Sequence, residues 1–272
     1  MTASRDELQS IARRVRRQVL RLSHRAGTPH LGSSLSCVDL VVAMYWGGWN
    51  LDPSALSAPS GDRFILSKGH AATTLYAALA LRGYFPPDWL DRYAKPGSCL
   101  GEHPSPDVPG IDVATGSLGH GLPVGVGMAL ANRIQGRTGR VGVLMSDGEC
   151  NEGTVWEAAL WAPAQRLDRL VVLIDYNQWQ ATGRSNEVTA LAPLAAKWQS
   201  FGWNAHEVDG HDLHQLADLL ASVPDGSGQP TAVIAHTVKG KGVSFMEDDN
   251  NWHYRIPSDE ELRRALAELE EP

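Results

Sequence analysis

Residues 140–153, Arg-Val-Gly-Val-Leu-Met-Ser-Asp-Gly-Glu-Cys-Asn-Glu-Gly, and residues 170–179, Leu-Val-Val-Leu-Ile-Asp-Tyr-Asn-Gln-Trp, share one grammar: an apolar run that ends in a polar cluster. Short continuous runs of Val, Leu and Ile bounded by turn residues are the pattern of strands buried on both faces, as in a parallel sheet. The two strands read as Arg140–Met145 and Leu170–Ile174. Neighbouring strands lie ~4.8 Å apart, so Asp147 and Asn177 can meet at adjacent strand tips although they are distant in sequence. Such a pair suits a metal-bound diphosphate. Mg²⁺ takes oxygen ligands at ~2.1 Å in near-octahedral geometry, one or two from carboxylates or amides and the rest from phosphate and water. The main-chain carbonyl of Trp179 can supply a third protein oxygen, and Gly148, lacking a side chain, lets the backbone approach a phosphate closely. Taken singly, Asp147-Gly148 and Tyr176-Asn177-Gln178 are ordinary strand-end turns. The pairing carries the signal.

Working outward, the same alternation recurs. Ser4 to about Arg25 reads as a helix ended by Gly27 and Pro29, and a second helix begins near Ser36, carries Val38, Val41, Val42 and Tyr45, and stops at Gly47-Gly48. Asp52 to Gly61 is a turn-rich loop, Arg63–Leu66 a strand and Ala71–Leu81 a helix. Residues 95–119 hold four prolines and five glycines with hardly any periodicity, a long loop that a compact domain keeps for function. Beyond it come helices at Gly121–Gln135, Thr154–Arg166, Leu213–Val223 and Asp259–Glu270, and strands at Asn204–Val208 and Thr231–Ala235. The expected fold is α/β: one domain over 1–272, a parallel sheet with helices on both faces and ligands beyond the carboxyl ends of its strands.

Composition narrows the function. The 272 residues are 43% hydrophobic and 20% charged, with a formal net charge of −7. That balance lacks the basic excess a nucleic-acid or anionic-membrane surface requires. Arg13, Arg14, Arg16 and Arg17 interleave with Ile11, Val15, Val19 and Leu22 and read as the solvated flank of a helix. Three cysteines without CxxC spacing suggest neither a disulfide framework nor a zinc site, so a reducing cytoplasm fits. No run approaches the ~18 apolar residues of a membrane span. Nine tryptophans are many, and several fall where an interface could use them.

The paired strand-end segments resemble the thiamine-diphosphate signature, a Gly-Asp-Gly that leads to Asn just after an apolar strand; Ser146 stands where the family usually has glycine. Further segments, in order along nearly the whole chain, resemble transketolases. These are His30 in Thr-Pro-His-Leu-Gly, His70 in Leu-Ser-Lys-Gly-His, His103 in Gly-Glu-His-Pro, Thr115-Gly116-Ser117-Leu118-Gly119-His120-Gly121, and Val238-Lys-Gly-Lys-Gly with Trp252-His253. At position 254 a tyrosine replaces the family's usual small residue. The resemblance implies thiamine diphosphate held through Mg²⁺, Ca²⁺ or Mn²⁺, with Asp147, Asn177 and the Trp179 carbonyl as metal ligands and His70, Gly116, Leu118, Gly148, Glu152 and Asn177 around the cofactor. His30 and His103 would handle substrate hydroxyls and proton transfer, and His70 and His253 would contact diphosphate or substrate. Histidine titrates close enough to neutrality for such roles, although a loop histidine is more often simply hydrogen-bonded, which is the reading kept for His24, His206, His211, His214 and His236. Glu152 matches a buried glutamate that links paired active sites, or else is a helix-start acid favoured by the dipole.

The transketolase glutamate that activates the aminopyrimidine ring, on a second domain of the family, has no counterpart here. The resemblance therefore implies a complementary C-terminal subunit in a heterotetramer, with sugars or sugar phosphates as substrates. Two other readings stay open: a 2-oxo-acid decarboxylating component, and a non-catalytic scaffold that kept the fold.

Overall fold

The computed structural model describes residues 3–55 and 58–270, so part of the loop expected at Asp52–Gly61 lies outside the described residues. Five parallel strands form one sheet: β1 (Arg63–Leu66), β2 (Val141–Ser146), β3 (Leu170–Tyr176), β4 (Asn204–Asp209) and β5 (Thr231–His236), in the order β1-β2-β3-β5-β4. The two strands read from their apolar runs are neighbours, with Val143 opposite Val172 and Ser146 opposite Asp175.

Alternation along the strands assigns each side chain to one of two cores, because successive residues of a strand point to opposite faces. Leu144, Val171, Leu173 and Val233 face α1 (Arg5–Ala26), α3 (Val38–Trp46), α4 (Ala72–Arg82) and α9 (Leu213–Ala221); Val141, Val143, Val172 and Ile174 face α5 (Gly121–Ile134), α6 (Gly153–Ala164) and α8 (Leu194–Ser200). The first helix is fixed by sequence at both ends. Ser4 and Glu7 form a reciprocal capping box, and Gly27 closes it in the left-handed conformation (φ 65°). The last helix, α10 (Asp259–Glu268), repeats the box with Ser258 and Glu261 and packs on α1.

Three expectations change. The turn-rich stretch after Gly27 contains a further helix, α2 (Leu31–Ser36). Its Gly32, Ser33 and Ser34 are poor helix formers, but the segment is buried, and Thr73 and Thr74 donate to the Ser34 hydroxyl and carbonyl at 3.0 and 2.7 Å. Tertiary contacts overrule propensity there. Arg16 is not on a solvated flank: it is buried and holds Asp39 bidentately at 3.0 and 2.6 Å, while His211 contacts the same carboxylate at 2.7 Å. The tryptophans are also drawn inward: four of the nine are buried, four are half-buried and one is exposed. Trp49, Trp198, Trp203 and Trp252 are core residues, with Trp198 packed between Trp156 and Trp203 at 5.5 and 4.9 Å; Trp161 is the clearly exposed one. Their number is largely explained by packing.

Candidate functional site

A cavity of ≈ 460 Å³ opens beyond the carboxyl ends of β1, β2 and β3, where a parallel sheet is expected to bind ligands. Every residue singled out from the sequence lines it: His30, His70, His103, Gly116, Leu118, Asp147, Gly148, Glu152, Asn177, Trp179 and His253.

The strand tips meet as the spacing predicts. Asp147 follows β2 at the head of a 3-10 turn (Asp147–Asn151), fully buried, and accepts from the Gly148 and Gln178 amides at 2.9 and 3.0 Å and from the Ser185 hydroxyl at 2.7 Å. The Gln178 bond ties it directly to the loop that carries Asn177. Burial pushes the Asp147 carboxyl up to about 7, and no Lys, Arg or His among the described residues lies within ion-pair range of it. Asn177 receives the Trp179 amide on Oδ1 at 3.0 Å and points its amide nitrogen at Ser36 Oγ, 3.4 Å away.

Beneath lies a buried ionic network. Lys68 and Asp175 are fully buried and hydrogen-bonded to each other; Lys68 also donates to the Ser33 carbonyl at 2.9 Å, and Asp175 accepts from Ser36 at 2.6 Å and from Thr237. Burial opposes charge on Asp175, but the Lys68 ammonium and these hydroxyls outweigh it and hold the carboxyl below its usual range. The network fixes the end of β3, two residues before Asn177. A second buried carboxylate, Glu149, accepts from Ser67 and from the Gly119 and Ser146 amides at 3.0 and 2.8 Å. It thereby gathers the ends of β1 and β2 and the long loop around one point.

The histidines form a second cluster. His30 adopts φ 69°, its ring 5.2 Å from that of His70 and 5.0 Å from that of His253, and its amide donates to the His253 carbonyl at 2.7 Å. A non-glycine residue in the left-handed region is strained, and such strain collects at functional sites. The Nδ1 of His30 is buried without a hydrogen-bond partner among the described residues, which burial makes expensive unless a ligand supplies one. Burial, reinforced by His103, Lys239 and Lys68, lowers His30 to about 4; burial and Lys239 lower His253 to about 3; and burial with Lys68 holds His70 well below its ordinary value. All three are neutral at pH 7. Lys239, itself lowered to about 8 by burial and Lys68, donates to His253 Nδ1 at 2.9 Å, so the His253 proton sits on Nε2. Neutral imidazoles in a closed cluster can accept hydroxyl protons and return them.

The long loop contributes backbone and one ring. Gly116 has φ 143°, and a Cβ there would stand 3.0 Å from Cδ2 of His103. The family described as "Transketolase, thiamine diphosphate binding domain" matches residues 8–269. The chain belongs to the transketolase family. It is 41% identical over 272 residues to a subunit of the apulose-4-phosphate transketolase of Actinobacillus succinogenes, covering 98% of each chain. It is 38% identical over 271 residues to the 6-deoxy-6-sulfo-D-fructose transketolase subunit SqwG of a Clostridium species, covering 99% of this chain and 98% of that one. Among solved structures, a transketolase of Campylobacter jejuni shares the fold with a TM-score of 0.92 at 24% identity, and one of Pichia stipitis has a TM-score of 0.87 at 28% identity. The chain spans 43% and 40% of those two longer chains.

Within this transketolase domain Glu152, matched to a glutamate that lies between paired active sites, stands exposed in the single chain at the start of α6, while Glu149 is buried within the chain itself. Residues missed from the sequence are Lys68, Asp175, Glu149, Ser185 and Lys239. Asp175 and Lys68 carried a legible signal, a charge at the end of an apolar strand and a lysine inside the matched Leu-Ser-Lys-Gly-His; Ser185 carried none.

Proposed function

We propose that this chain is the diphosphate-binding subunit of a two-component transketolase that moves a two-carbon ketol unit from a ketose or its phosphate to an aldose or its phosphate. In this reading one domain over 1–272 anchors the cofactor, and a complementary subunit brings the pyrimidine-binding and C-terminal domains in a cytoplasmic heterotetramer. The two-chain organisation is supported by the relatives named as subunits, which this chain matches over 98% of both lengths in the first case. A decarboxylating component fits the family less well, and a scaffold that lost its cofactor would have no need to keep Asp147 and Asn177 in one cavity.

The observation that carries the proposal is the meeting of Asp147 with the Asn177 loop inside the histidine-lined cavity. The residues fit a divalent cation. Asp147 is a buried carboxylate with no ion-pair partner among the described residues, and Asn177 and the Trp179 carbonyl add neutral oxygens, an oxygen-only set of the kind Mg²⁺, Mn²⁺ or Ca²⁺ accepts. Bound thiamine diphosphate supplies an electron sink that lets a carbon–carbon bond next to a carbonyl break and form. The chain's own residues do the rest. Gly148 and the metal ligands hold the diphosphate; His30, with its free Nδ1, and His103 take and return substrate hydroxyl protons; and His253, held by Lys239 with its proton on Nε2, donates to a substrate or phosphate oxygen.

The test is reconstitution. The purified chain alone is expected to show no ketol transfer from xylulose 5-phosphate to ribose 5-phosphate, and to gain transfer, on these or on sugars of the kinds in the relatives' names, when the product of the neighbouring gene is added. Robust turnover by the single chain contradicts the half-enzyme reading.

A further inference from the structure

The loop that follows β3 is tied not only to Asp147 but also to the loop that brings in His253. Trp179 Nε1 donates to Asp248 Oδ1 at 2.7 Å, and Arg184 donates to both Asp248 oxygens at 2.7 and 2.6 Å. The Arg184 guanidinium also lies over the Trp179 ring, 3.8 Å from its centroid, so the indole is held in its plane by Asp248 and across its face by Arg184. Trp179 and Arg184 form an isolated antiparallel bridge that closes the loop on itself. Asn250 Nδ2 adds a longer bond to the Ala181 carbonyl at 3.3 Å.

Two features mark this clamp as more than surface decoration. Both loops hold a non-glycine residue in the left-handed region beside it, Gln178 at φ 64° and Asp248 at φ 58°, and strained residues of this kind persist where the surroundings demand them. The clamp is also solvent-accessible: the Asp248 and Arg184 side chains are 56% and 35% exposed. Exposed ion pairs add little to folding stability. Stability therefore gives no account of why three side chains and two strained residues converge here; position does.

We propose that Asp248 is a positioning residue that, by locking the Trp179 indole against Arg184, fixes the Trp179 main-chain carbonyl for the cofactor's divalent cation and couples that carbonyl to the loop bearing His253. The inference rests on the reading of Asp147, Asn177 and Trp179 as the cation site. Groups behind metal ligands orient them, and their loss typically weakens metal binding about 10- to 100-fold.

The test uses the full chain with thiamine diphosphate and Mg²⁺, following cofactor binding by calorimetry as Mg²⁺ is varied, with urea unfolding in parallel. Asp248→Ala is expected to raise the Mg²⁺ concentration for half-saturation about 10- to 100-fold while leaving the unfolding midpoint nearly unchanged. Asp248→Asn, which keeps an acceptor for the indole and loses the charge for Arg184, should fall between the two and serves as the test if the alanine variant does not fold. Quenching of Trp179 emission by Mg²⁺ and cofactor, isolated by subtracting a Trp179→Phe control, should shrink in step. Half-saturation within twofold of wild type in Asp248→Ala, with wild type binding normally, overturns the clamp and leaves the cofactor reading standing. A wild-type chain that binds no cofactor with Mg²⁺, alone and with the complementary subunit added, sinks the cation site, and the clamp with it.

Discussion

Replacing Lys68 with methionine asks whether the ionic network under the site sets the end of β3. Both Lys68 and Asp175 are fully buried, and the lysine is the only cation paired with that carboxylate among the described residues. Methionine keeps most of the volume, so the main loss is charge. The Ser36 and Thr237 bonds survive, but they leave a buried anion uncompensated, and breaking one side of such a pair costs about 3–5 kcal/mol. With an m-value of about 3 kcal/mol/M in urea, the unfolding midpoint should fall by roughly 1–1.7 M.

The pH dependence should also change sign. In the wild type Asp175 is held below the ordinary carboxylate value, so its contribution is complete above about pH 4 and is lost as the pH falls through the depressed folded value. In Lys68→Met burial, the largest influence, is opposed only by the Ser36 and Thr237 hydroxyls and raises the carboxyl, so the variant should lose stability as the pH rises above about 4. Adding Asp175→Asn should recover most of the midpoint and flatten the profile. Urea titrations followed by tryptophan fluorescence from pH 4 to 8 read both effects. A midpoint change below about 0.3 M, corresponding to less than ~1 kcal/mol, or no difference in pH slope, refutes the claim that Lys68 compensates Asp175.

Other outcomes follow from the same geometry. Gly116→Ala forces a Cβ against the His103 ring at a backbone angle side chains rarely adopt, so it should lower kcat of the reconstituted enzyme more than it lowers the melting temperature. Because burial raises Asp147 to about 7, cation binding with thiamine diphosphate should release about half a proton at pH 7, seen as a dependence of calorimetric heat on buffer ionisation enthalpy. Zero release would argue against Asp147 as a ligand. Removing Mg²⁺ with a chelator should abolish cofactor binding, and Ca²⁺ or Mn²⁺ should restore it.

Much of the fold and site is legible in the sequence because the informative residues follow rigid elements. Apolar runs specify buried strands, strands in register place their tips side by side, and Asp147 and Asn177 needed only that much to be brought together. What stayed hidden depends on long-range packing. The helix over Leu31–Ser36 is formed against its own propensity, and the partner of Lys68 is 107 residues away. Ser185 reaches Asp147 across 38 positions from a short helix, α7 (Ser185–Val188), that has no periodicity to announce it. Glu149 is turned inward by the 3-10 turn over Asp147–Asn151, and spacing alone does not announce that. The tryptophan count carried little signal either way, since large aromatics serve a core as well as an interface.

The most direct measurement is calorimetric titration of thiamine diphosphate into the purified chain, with and without Mg²⁺, for wild type and Asp147→Ala. Saturable binding that requires the metal and vanishes in the variant, with the variant's circular dichroism unchanged, is the predicted result. Equal affinity in the two proteins would contradict the account at its root.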